Sequence, residues 1–564
     1  MKGFASFRTL AASALLASCS GGHHAPQSTS SPPPTSPPPP SAQLYNIGGQ
    51  IEGLTATGLT LANGSDVLDI DAGGTSFTFP TQLGTGAAYN VSIAAQPSGE
   101  RCSLTAASGT VSTAAVNNIA VTCTSRLWTW LSGSDVTNQT AIVGTQGVPD
   151  SHNIPGARRD AVSWTDQDGN LWLFSGEAID VGYPNDLWKY SPTDGTWTLI
   201  SGTDVLNSII SYPGVYGTLG IASPTNAPGG RHWASAWIDA QNNLWLFGGV
   251  GYDASGTWGL LNDLWKFTPA NVEWTWVSGS STAEATSVYG TKGVAAPANT
   301  PGDRDHAASW IDANSNLWLY GGFGDDATGQ ARGDLADVWK FDTTTSQWTW
   351  VDGVTSLNQI SVYPPLGTST PAATPGGRDS SVTWIDNAGN FWLFGGSATL
   401  SATTGGILND LWRYSPSNGT WSWMSGGQTP NAAPTYGTLG IADSTHGPGA
   451  MIGALTWTDS AGQLWMFGGY WQADGGFGTL VPQDTNALWE YRPSTGKWTW
   501  VSGSETANIA GVYGTLGIGA ATNLPGSRCC SVGWIDKDDN LWLFGGGGYA
   551  DSPTLGYLND LWKY

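Results

Sequence analysis

The sequence predicts an all-β protein, most of which is a ring of repeated four-stranded sheets. One block, typified by Leu-Trp-Leu-Phe-Gly-Gly, recurs six times between residues 126 and 564 at intervals of about 73 residues, which indicates one unit copied in tandem. Each copy holds four short segments rich in Trp, Tyr, Phe, Val and Ile, separated by Gly, Asn, Asp, Pro or Ser, as is typical of strands and turns. Four antiparallel strands at a fixed period describe the blade of a β-propeller. The Trp of the block recurs as Trp172, Trp245, Trp318, Trp392, Trp465 and Trp542.

The third copy shows the four predicted strands, which we call a, b, c and d in chain order. They are residues 307–311, 317–320, 338–341 and 348–351. Short polar connections join a to b and c to d, so each of these pairs is expected to be an antiparallel hairpin. The connections from d to a and from b to c are long and emerge on the opposite face, which we call the loop-rich face.

The two ends of the repeated region predict how the ring closes. The sixth copy ends at its c strand, at residue 564, and a segment that resembles a d strand, residues 127–133, precedes the first copy. If this segment completes the last sheet, every sheet has four strands. We therefore expect six blades, closed by residues 127–133.

The repeat resembles the kelch repeat. The shared features are the Gly-Gly that ends strand b, an Asn-Asp-Leu-Trp-Lys-Tyr at strand c and a Trp that opens strand d. The resemblance covers residues 126–564 and implies a fold similar to the central domain of galactose oxidase, not a particular activity. The kelch pattern often has His three residues after the Arg that opens strand a, whereas every copy here has Ala or Ser at that position.

Residues 1–18 are expected to be a bacterial lipoprotein signal peptide. Lys2 and Arg8 lie beside an apolar run, residues 9–17, that is too short to span a bilayer as a mature helix. The run leads into Leu-Ala-Ser-Cys, which resembles a lipobox and implies lipidation of Cys19; an ordinary signal with a chance Cys is the alternative. Ser20 in place of Asp favours the outer membrane, with the protein facing either the periplasm or the cell surface.

Two further segments precede the repeats. Residues 19–43 contain the lipidated Cys and a Pro- and Ser-rich stretch, which favours an extended tether. Residues 44–124 alternate apolar and polar positions between Gly-rich turns, so we expect an Ig-like β-sandwich. Export favours a disulfide between Cys102 and Cys123. Cys529 and Cys530 are adjacent in the predicted sixth a strand and are expected to be buried free thiols, with a vicinal disulfide as the alternative.

The composition limits the partners. The formal net charge is -23, which argues against nucleic acid or an anionic membrane surface. After the signal peptide no apolar run is long enough to span a membrane, so membrane contact is expected only through the lipid anchor. No motif at metal-ligand spacing and no nucleophile elbow is present. We expect a monomer without a metal or cofactor.

Arginines that open strand a leave two interpretations open. They could form a positive ring that grips a carboxylate, or they could bridge to an Asp that opens strand c of the same copy. In the fifth copy Met451 and Ala487 replace both partners together, as a bridge predicts. The arginines are Arg158, Arg231, Arg304, Arg378 and Arg528, and the aspartates are Asp186, Asp263, Asp337, Asp410 and Asp560.

Three Trp residues break the repetition: Trp233, Trp258 and Trp471. All belong to the loop-rich face, where exposed aromatic rings can stack on sugars or anchor protein contacts. Local loop packing is the alternative. The complete set of candidate ligand-binding residues is Arg231, His232, Trp233, Trp258, Arg304, Asp305, His306, Arg378, Trp471 and Arg528.

These observations predict an exported, lipid-anchored binding protein that recognises a glycan or an extracytoplasmic protein. The kelch resemblance implies an alternative, a cofactor-independent carbohydrate enzyme of the sialic-acid mutarotase type, with polar groups such as His232 and Asp305 in the channel mouth. A copper enzyme like galactose oxidase is less favoured, because no domain follows the repeats to supply its further His ligand. No catalytic residue is assigned from the sequence.

Overall fold

The computed structural model describes residues 43–179, 181–202, 212–401, 404–474 and 480–564. This part of the chain is all β and contains no helix, so none of it offers a helix able to cross a membrane. The predicted signal peptide, Cys19 and nearly all of the predicted tether lie outside the described residues. Residues 44–564 form one compact unit.

Residues 44–125 form two four-stranded sheets that share one buried apolar cluster, to which Ile51 and Val121 contribute from one sheet and Leu61 and Val91 from the other. The predicted disulfide between Cys102 and Cys123 is present and joins neighbouring antiparallel strands. The first sheet has the order Ser76–Thr78, Ile47–Glu52, Val116–Ser125 and Glu100–Thr105, and the second Asp66–Ile70, Leu59–Asn63, Ala88–Ala95 and Ser108–Thr110. Leu44–Tyr45 pairs separately with Leu83–Gly84.

Each of the six sequence repeats forms a sheet in which strands a, b, c and d are successive antiparallel neighbours. The a strands are Val162–Thr165, Ser235–Ile238, Ala308–Ile311, Val382–Ile385, Leu455–Thr458 and Val532–Ile535. The b strands are Leu171–Phe174, Leu244–Tyr252, Leu317–Tyr320, Phe391–Phe394, Leu464–Phe467 and Leu541–Tyr549. The c strands are Leu187–Ser191, Trp258–Thr268, Val338–Asp342, Leu411–Ser415, Leu488–Arg492 and Leu555–Lys563. The d strands are Thr196–Ser201, Glu273–Ser278, Gln347–Asp352, Thr420–Ser425, Lys497–Ser502 and, for the last sheet, Thr129–Ser132.

Short strands extend these sheets on the loop-rich face. Two-residue strands precede five of the a strands: Arg158–Arg159, Arg231–His232, Arg304–Asp305, Arg378–Asp379 and Arg528–Cys529. Glu177–Ala178 pairs with the first of them. Separate hairpins between b and c are Phe323–Asp325 with Arg332–Asp334, Ser397–Thr399 with Gly405–Ile407, and Tyr470–Asp474 with Leu480–Asp484.

The last sheet contains strands from both ends of the repeated region. Thr129–Ser132 pairs antiparallel with Leu555–Lys563, and Trp130 lies opposite Trp562. The ring of Trp128 contacts the aromatic rings of Tyr564 and Phe467. Burial of this Trp fixes the first strand against the last, because a large aromatic side chain contributes much apolar area to the core.

The a strands contact one another in sequence order, and the sixth also contacts the first. Residues of all six a strands line a cavity of 430 Å³, among them Ser163, Ala236 and Gly533. Buried Trp, Leu and Phe side chains fill the spaces between neighbouring sheets. Repeated four-stranded antiparallel sheets around a central cavity fit a β-propeller.

Candidate functional site

The arginines that open strand a are structural in this geometry. Each guanidinium binds the aspartate that opens strand c of its own repeat, with N to O distances between 2.6 and 2.9 Å, and each side chain is at most 1% exposed. A carbonyl at the end of strand b accepts a further bond, for example that of Gly248 from Arg231. The expectation that Arg231, Arg304, Arg378 and Arg528 bind a ligand is therefore corrected: their donors are buried and directed at protein acceptors.

The next feature is a ring of six residues on the loop-rich face, which we call the mouth ring. Its members each stand two residues after the repeated Arg, or after Met451 in the fifth copy: Asp160, Trp233, His306, Ser380, Gly453 and Cys530. All have φ between 50° and 64°, a left-handed conformation that strains every residue but glycine by about 1 kcal/mol or more.

Backbone hydrogen bonds join the mouth ring from one repeat to the next. The N–H of Trp233 donates to Asp160, that of His306 to Trp233 and that of Ser380 to His306 at 3.1 to 3.4 Å. Cys530 donates to Gly453 at 2.8 Å, and Asp160 donates to Cys530 at 2.9 Å. The backbone conformation is thus the same in all six repeats, whereas the side chain at this position differs from repeat to repeat.

The mouth ring opens into a cavity of 540 Å³, which we call the mouth cavity. Asp160, Trp233, His306, Asp379 and Cys530 contribute to its wall. Trp233 and His306 were among the candidate residues of the sequence, whereas Asp160 and Asp379 were not. The signal that could have identified them is their position just after the repeated Arg, where the residue differs from copy to copy.

Charged groups in the mouth cavity alter one another's pKa values. Burial by itself lowers the pKa of His306, but the hydrogen bond to Asp305, whose Oδ1 lies 2.9 Å from Nδ1, and the nearby carboxylates outweigh burial and raise it. Burial raises the pKa of Asp160, against the opposing charges of His306 and Arg159. His306 is thus favoured as a cation among carboxylates.

Asp379 and Asp334 form a carboxyl pair. Burial first, and then the charge of Asp379, raises the pKa of Asp334 to about 6, and a hydrogen bond between the two favours a proton on Asp334. Burial also raises the pKa of Asp379. Raised pKa values in a carboxyl pair suit general acid or base chemistry.

An aromatic ladder leads from the surface to the mouth ring, with ring centroids 3.7 to 4.9 Å apart. Its members in order are Tyr252, Trp258, Tyr183, His232, Trp233 and His306. Trp258 is 39% exposed and His232 is 4% exposed. Burial, and then the charges of His306 and Arg159, lowers the pKa of His232 to about 3, so this imidazole is neutral at neutral pH.

Trp471 does not join the ladder. It lies half-buried in the hairpin strand Tyr470–Asp474, opposite Gln483. Its neighbour Tyr470 contributes to the mouth cavity instead. The structure therefore separates Trp471 from the other two non-repeated Trp residues.

Two groups of acidic or histidine side chains in the described ranges have metal-ligand geometry, and an arginine lies at each. Arg159 binds Glu177 in the group Asp160, Glu177 and His232. The other group is Glu284, Asp303 and Asp325, and Arg332 contacts all three carboxylates. The sequence predicted no metal site, and spacing along the chain does not reveal either group.

Cys529 and Cys530 are free and half-buried in the wall of the mouth cavity. Their sulfurs lie 2.7 Å apart. The expectation that both lie in strand a is corrected: Cys529 ends the short strand Arg528–Cys529, Cys530 follows it in the mouth ring, and strand a begins at Val532. The hydrogen bond to Cys529, and then burial, raises the pKa of Cys530.

Comparisons with known proteins bear on the fold alone. No family model matches the chain, and no curated protein matches it. Solved structures do match, among them one titled "Structure of YjhT", with 14% sequence identity and a TM-score of 0.43 over 74% of this chain and 95% of that chain. The class that the sheets define is an all-β protein of repeated four-stranded antiparallel sheets, which fits a β-propeller.

Proposed function

We propose that this protein binds a glycan through the aromatic ladder and the mouth cavity. We also infer that residues 126–564 form a six-bladed kelch-type propeller closed by residues 127–133, that residues 44–124 form an Ig-like β-sandwich, and that lipidation at Cys19 anchors the protein to the outer membrane. The pairing of Thr129–Ser132 with Leu555–Lys563 supports closure.

The single observation that supports glycan binding is the ladder. Trp258 presents a partly exposed ring near its outer end, and this ring contacts Tyr183 at 4.3 Å, tilted, and Tyr252 at 4.9 Å, edge to face. A rigid aromatic face suits the apolar C–H surface of a sugar ring. At the inner end the cavity offers carboxyl and imidazole groups for the hydroxyl groups of the same sugar chain.

A glycan array with the full chain tests this proposal, followed by affinity measurements on variants. Trp258→Ala should weaken binding of the selected glycan at least tenfold, about 1.4 kcal/mol. Trp471→Ala is the matched control on the same face and should bind as the wild type does. Equal affinities for wild type and Trp258→Ala, or an equal loss in the control, would contradict the assignment of the ladder as the site. Capture of a protein and no glycan would replace the glycan by a protein ligand.

A second candidate function is that of a cofactor-independent carbohydrate enzyme, such as a mutarotase. The observation that favours it is Asp379, which lines the mouth cavity with His306 and pairs with Asp334, because proton transfer to and from a sugar ring needs such groups. NMR of freshly dissolved sugars would measure the interconversion of anomers. Acceleration by the wild type that is lost in Asp379→Asn would establish this activity; no acceleration with any glycan that binds would remove it.

The lipid anchor has a separate test. Cys19→Ser should release the protein from the membrane fraction of a cell that lipidates the wild type. A variant that stays membrane-bound would contradict the anchor without affecting the glycan site.

A further inference from the structure

We propose that Asp160, Glu177 and His232 form a binding site for a divalent transition-metal ion, and that Arg159 is the resident cation that such an ion displaces. This inference does not depend on glycan binding.

The three side chains converge from different elements. Asp160 belongs to the mouth ring, Glu177 to the strand Glu177–Ala178 and His232 to the strand Arg231–His232. One oxygen from each carboxylate and one ring nitrogen of His232 all lie within 4.8 Å of one another. Glu177–Ala178 pairs with Arg158–Arg159, and Arg231–His232 pairs with the extended b strand of the second repeat. Backbone pairing therefore holds the potential ligands in place.

His232 is the observation that points to a ligand. The residue is 4% exposed, and Nδ1 has no hydrogen-bond partner among the described residues. Stacking on Trp233 at 3.7 Å and on Tyr183 at 4.7 Å fixes the plane of the ring. A buried polar nitrogen without a partner destabilises the fold by about 1 to 3 kcal/mol, and a metal ion bound at this nitrogen would use its lone pair.

Arg159 neutralises the carboxylates without using the imidazole. Its Nη2 lies 2.7 Å from Glu177 and its Nε lies 3.5 Å from Asp160. The side chain is 35% exposed, and its guanidinium lies over the ring of Tyr557 at 5.2 Å. Withdrawal of Arg159 toward solvent would remove the cation that pairs with both carboxylates, and would leave a ring nitrogen of His232 within 4.8 Å of an oxygen of each.

The donor set selects the class of ion. Two carboxylate oxygens and one imidazole nitrogen suit Zn²⁺, Co²⁺ or Ni²⁺, whereas Ca²⁺ and Mg²⁺ prefer oxygen donors alone. The second group, Glu284, Asp303 and Asp325, has no histidine and its arginine contacts every member. It provides an internal control.

Equilibrium dialysis of the full chain against Zn²⁺, with the bound metal measured directly, tests the site. His232→Ala should lower the affinity of one site at least tenfold, and Arg159→Met should raise it, because the competing cation is gone. Asp325→Asn in the control group should leave Zn²⁺ binding unchanged. His23 and His24 are the same in all variants and cancel in the comparison. Cys530 lies close to Asp160 and Arg159, so the variants are compared in a Cys529→Ser, Cys530→Ser background.

Co²⁺ gives a spectroscopic readout of the same site. The visible absorption of bound Co²⁺ should change in Glu177→Gln. This conservative variant replaces His232→Ala in the test if His232→Ala does not fold. Near-ultraviolet circular dichroism would confirm the fold of each variant. Equal Zn²⁺ affinity in wild type, Glu177→Gln and Arg159→Met would overturn the proposal, whether or not a glycan binds.

Discussion

The fifth repeat differs from the other five where it meets the N-terminal sheets. In the other repeats a basic residue of strand c lies over the Trp of strand b at 5.5 to 5.8 Å: Lys189, Lys266, Lys340, Arg413 and Lys563. In the fifth, Glu490 stands at that position and Arg126, from the start of the repeated region, lies over Trp465 at 5.8 Å. A cation from another segment thus replaces the local one.

Glu490 and its neighbour Arg492 instead bind the N-terminal sheets. Arg492 donates to the carbonyls of Gly58 and Gln96, each at 2.7 Å, and pairs with Glu490 at 2.8 Å. Ser98 donates to Glu490. Glu490 and Arg492, two residues at which the fifth repeat departs from the others, are thus those that contact the N-terminal sheets.

Transplanting the fifth repeat's apolar pair into the third should give the largest effect. Arg304→Met leaves the buried carboxylate of Asp337 without its cation, and should destabilise the fold by about 3 to 5 kcal/mol in urea unfolding. Arg304→Met combined with Asp337→Ala reproduces Met451 and Ala487, and should be more stable than the single variant. A double variant that is less stable than Arg304→Met would show that the apolar pair works only in the context of the fifth repeat.

Arg492→Ala tests the contact with the N-terminal sheets. The substitution removes two hydrogen bonds to carbonyls and the cation that pairs with Glu490, a residue that is only 1% exposed. It should lower the free energy of unfolding by about 2 to 3 kcal/mol. Faster hydrogen exchange in residues 44–124 would report it. Arg413→Ala in the fourth repeat is the control, with a loss of about 0.5 to 1 kcal/mol and unchanged exchange in those residues. Unchanged exchange in both variants would contradict the role of Arg492.

Asp459 should make the contribution of the fifth repeat to protein stability depend on pH in its own way. Burial raises the pKa of Asp459 to about 6, whereas in the sixth repeat hydrogen bonds from Asn540 and Trp542 outweigh burial and lower the pKa of Asp536. The amide of Asn540 donates to both oxygens of Asp536. The fifth repeat has Gln463 at that position, and its Oε1 is without a partner in the described structure.

The contribution of Asp459 to the free energy of unfolding is fully present below its usual pKa and is lost as pH rises through about 6. The contribution of Asp536 is present above its usual pKa and is lost as pH falls. Gln463→Asn should supply the missing donor and improve stability at pH 7 relative to pH 4 by about 2 kcal/mol or less. Urea unfolding at both pH values measures the difference, and an unaltered difference would refute this cause.

The smallest effect is expected at the mouth ring. Gly453, with φ of 64°, is its one glycine, and a Cβ there would lie 3.1 Å from the sulfur of Cys530. Gly453→Ala should destabilise the fold by about 1 kcal/mol, and Ser380→Gly should be neutral or slightly stabilising. Thermal unfolding of the two variants measures the contrast. Equal effects would show that strain at this position is not the determinant.

Much of the fold could be predicted from the sequence because its signals are local. Strand-forming residues alternate with turn residues in every copy, and the joint replacement of Arg and Asp by Met451 and Ala487 indicated the bridge. The site was predicted less well. Trp233, Trp258, His232 and His306 meet in the ladder, whereas Trp471 lies apart, and Arg159, Asp160, Glu177 and Asp379 were not anticipated.

By itself the sequence determined the strands and their repetition, because strand and turn patterns depend on neighbouring residues. It also determined the disulfide partners, because Cys102 and Cys123 are the two cysteines of residues 44–124. Only the tertiary structure decided which side chains share the mouth cavity. Asp160, Asp379 and Cys530 come from the first, fourth and sixth repeats. Each occupies a position at which the residue type differs among the repeats. The physical reason is that neighbouring a strands contact one another, and the sixth contacts the first. These contacts bring together residues whose distance along the chain carries no information about their distance in space.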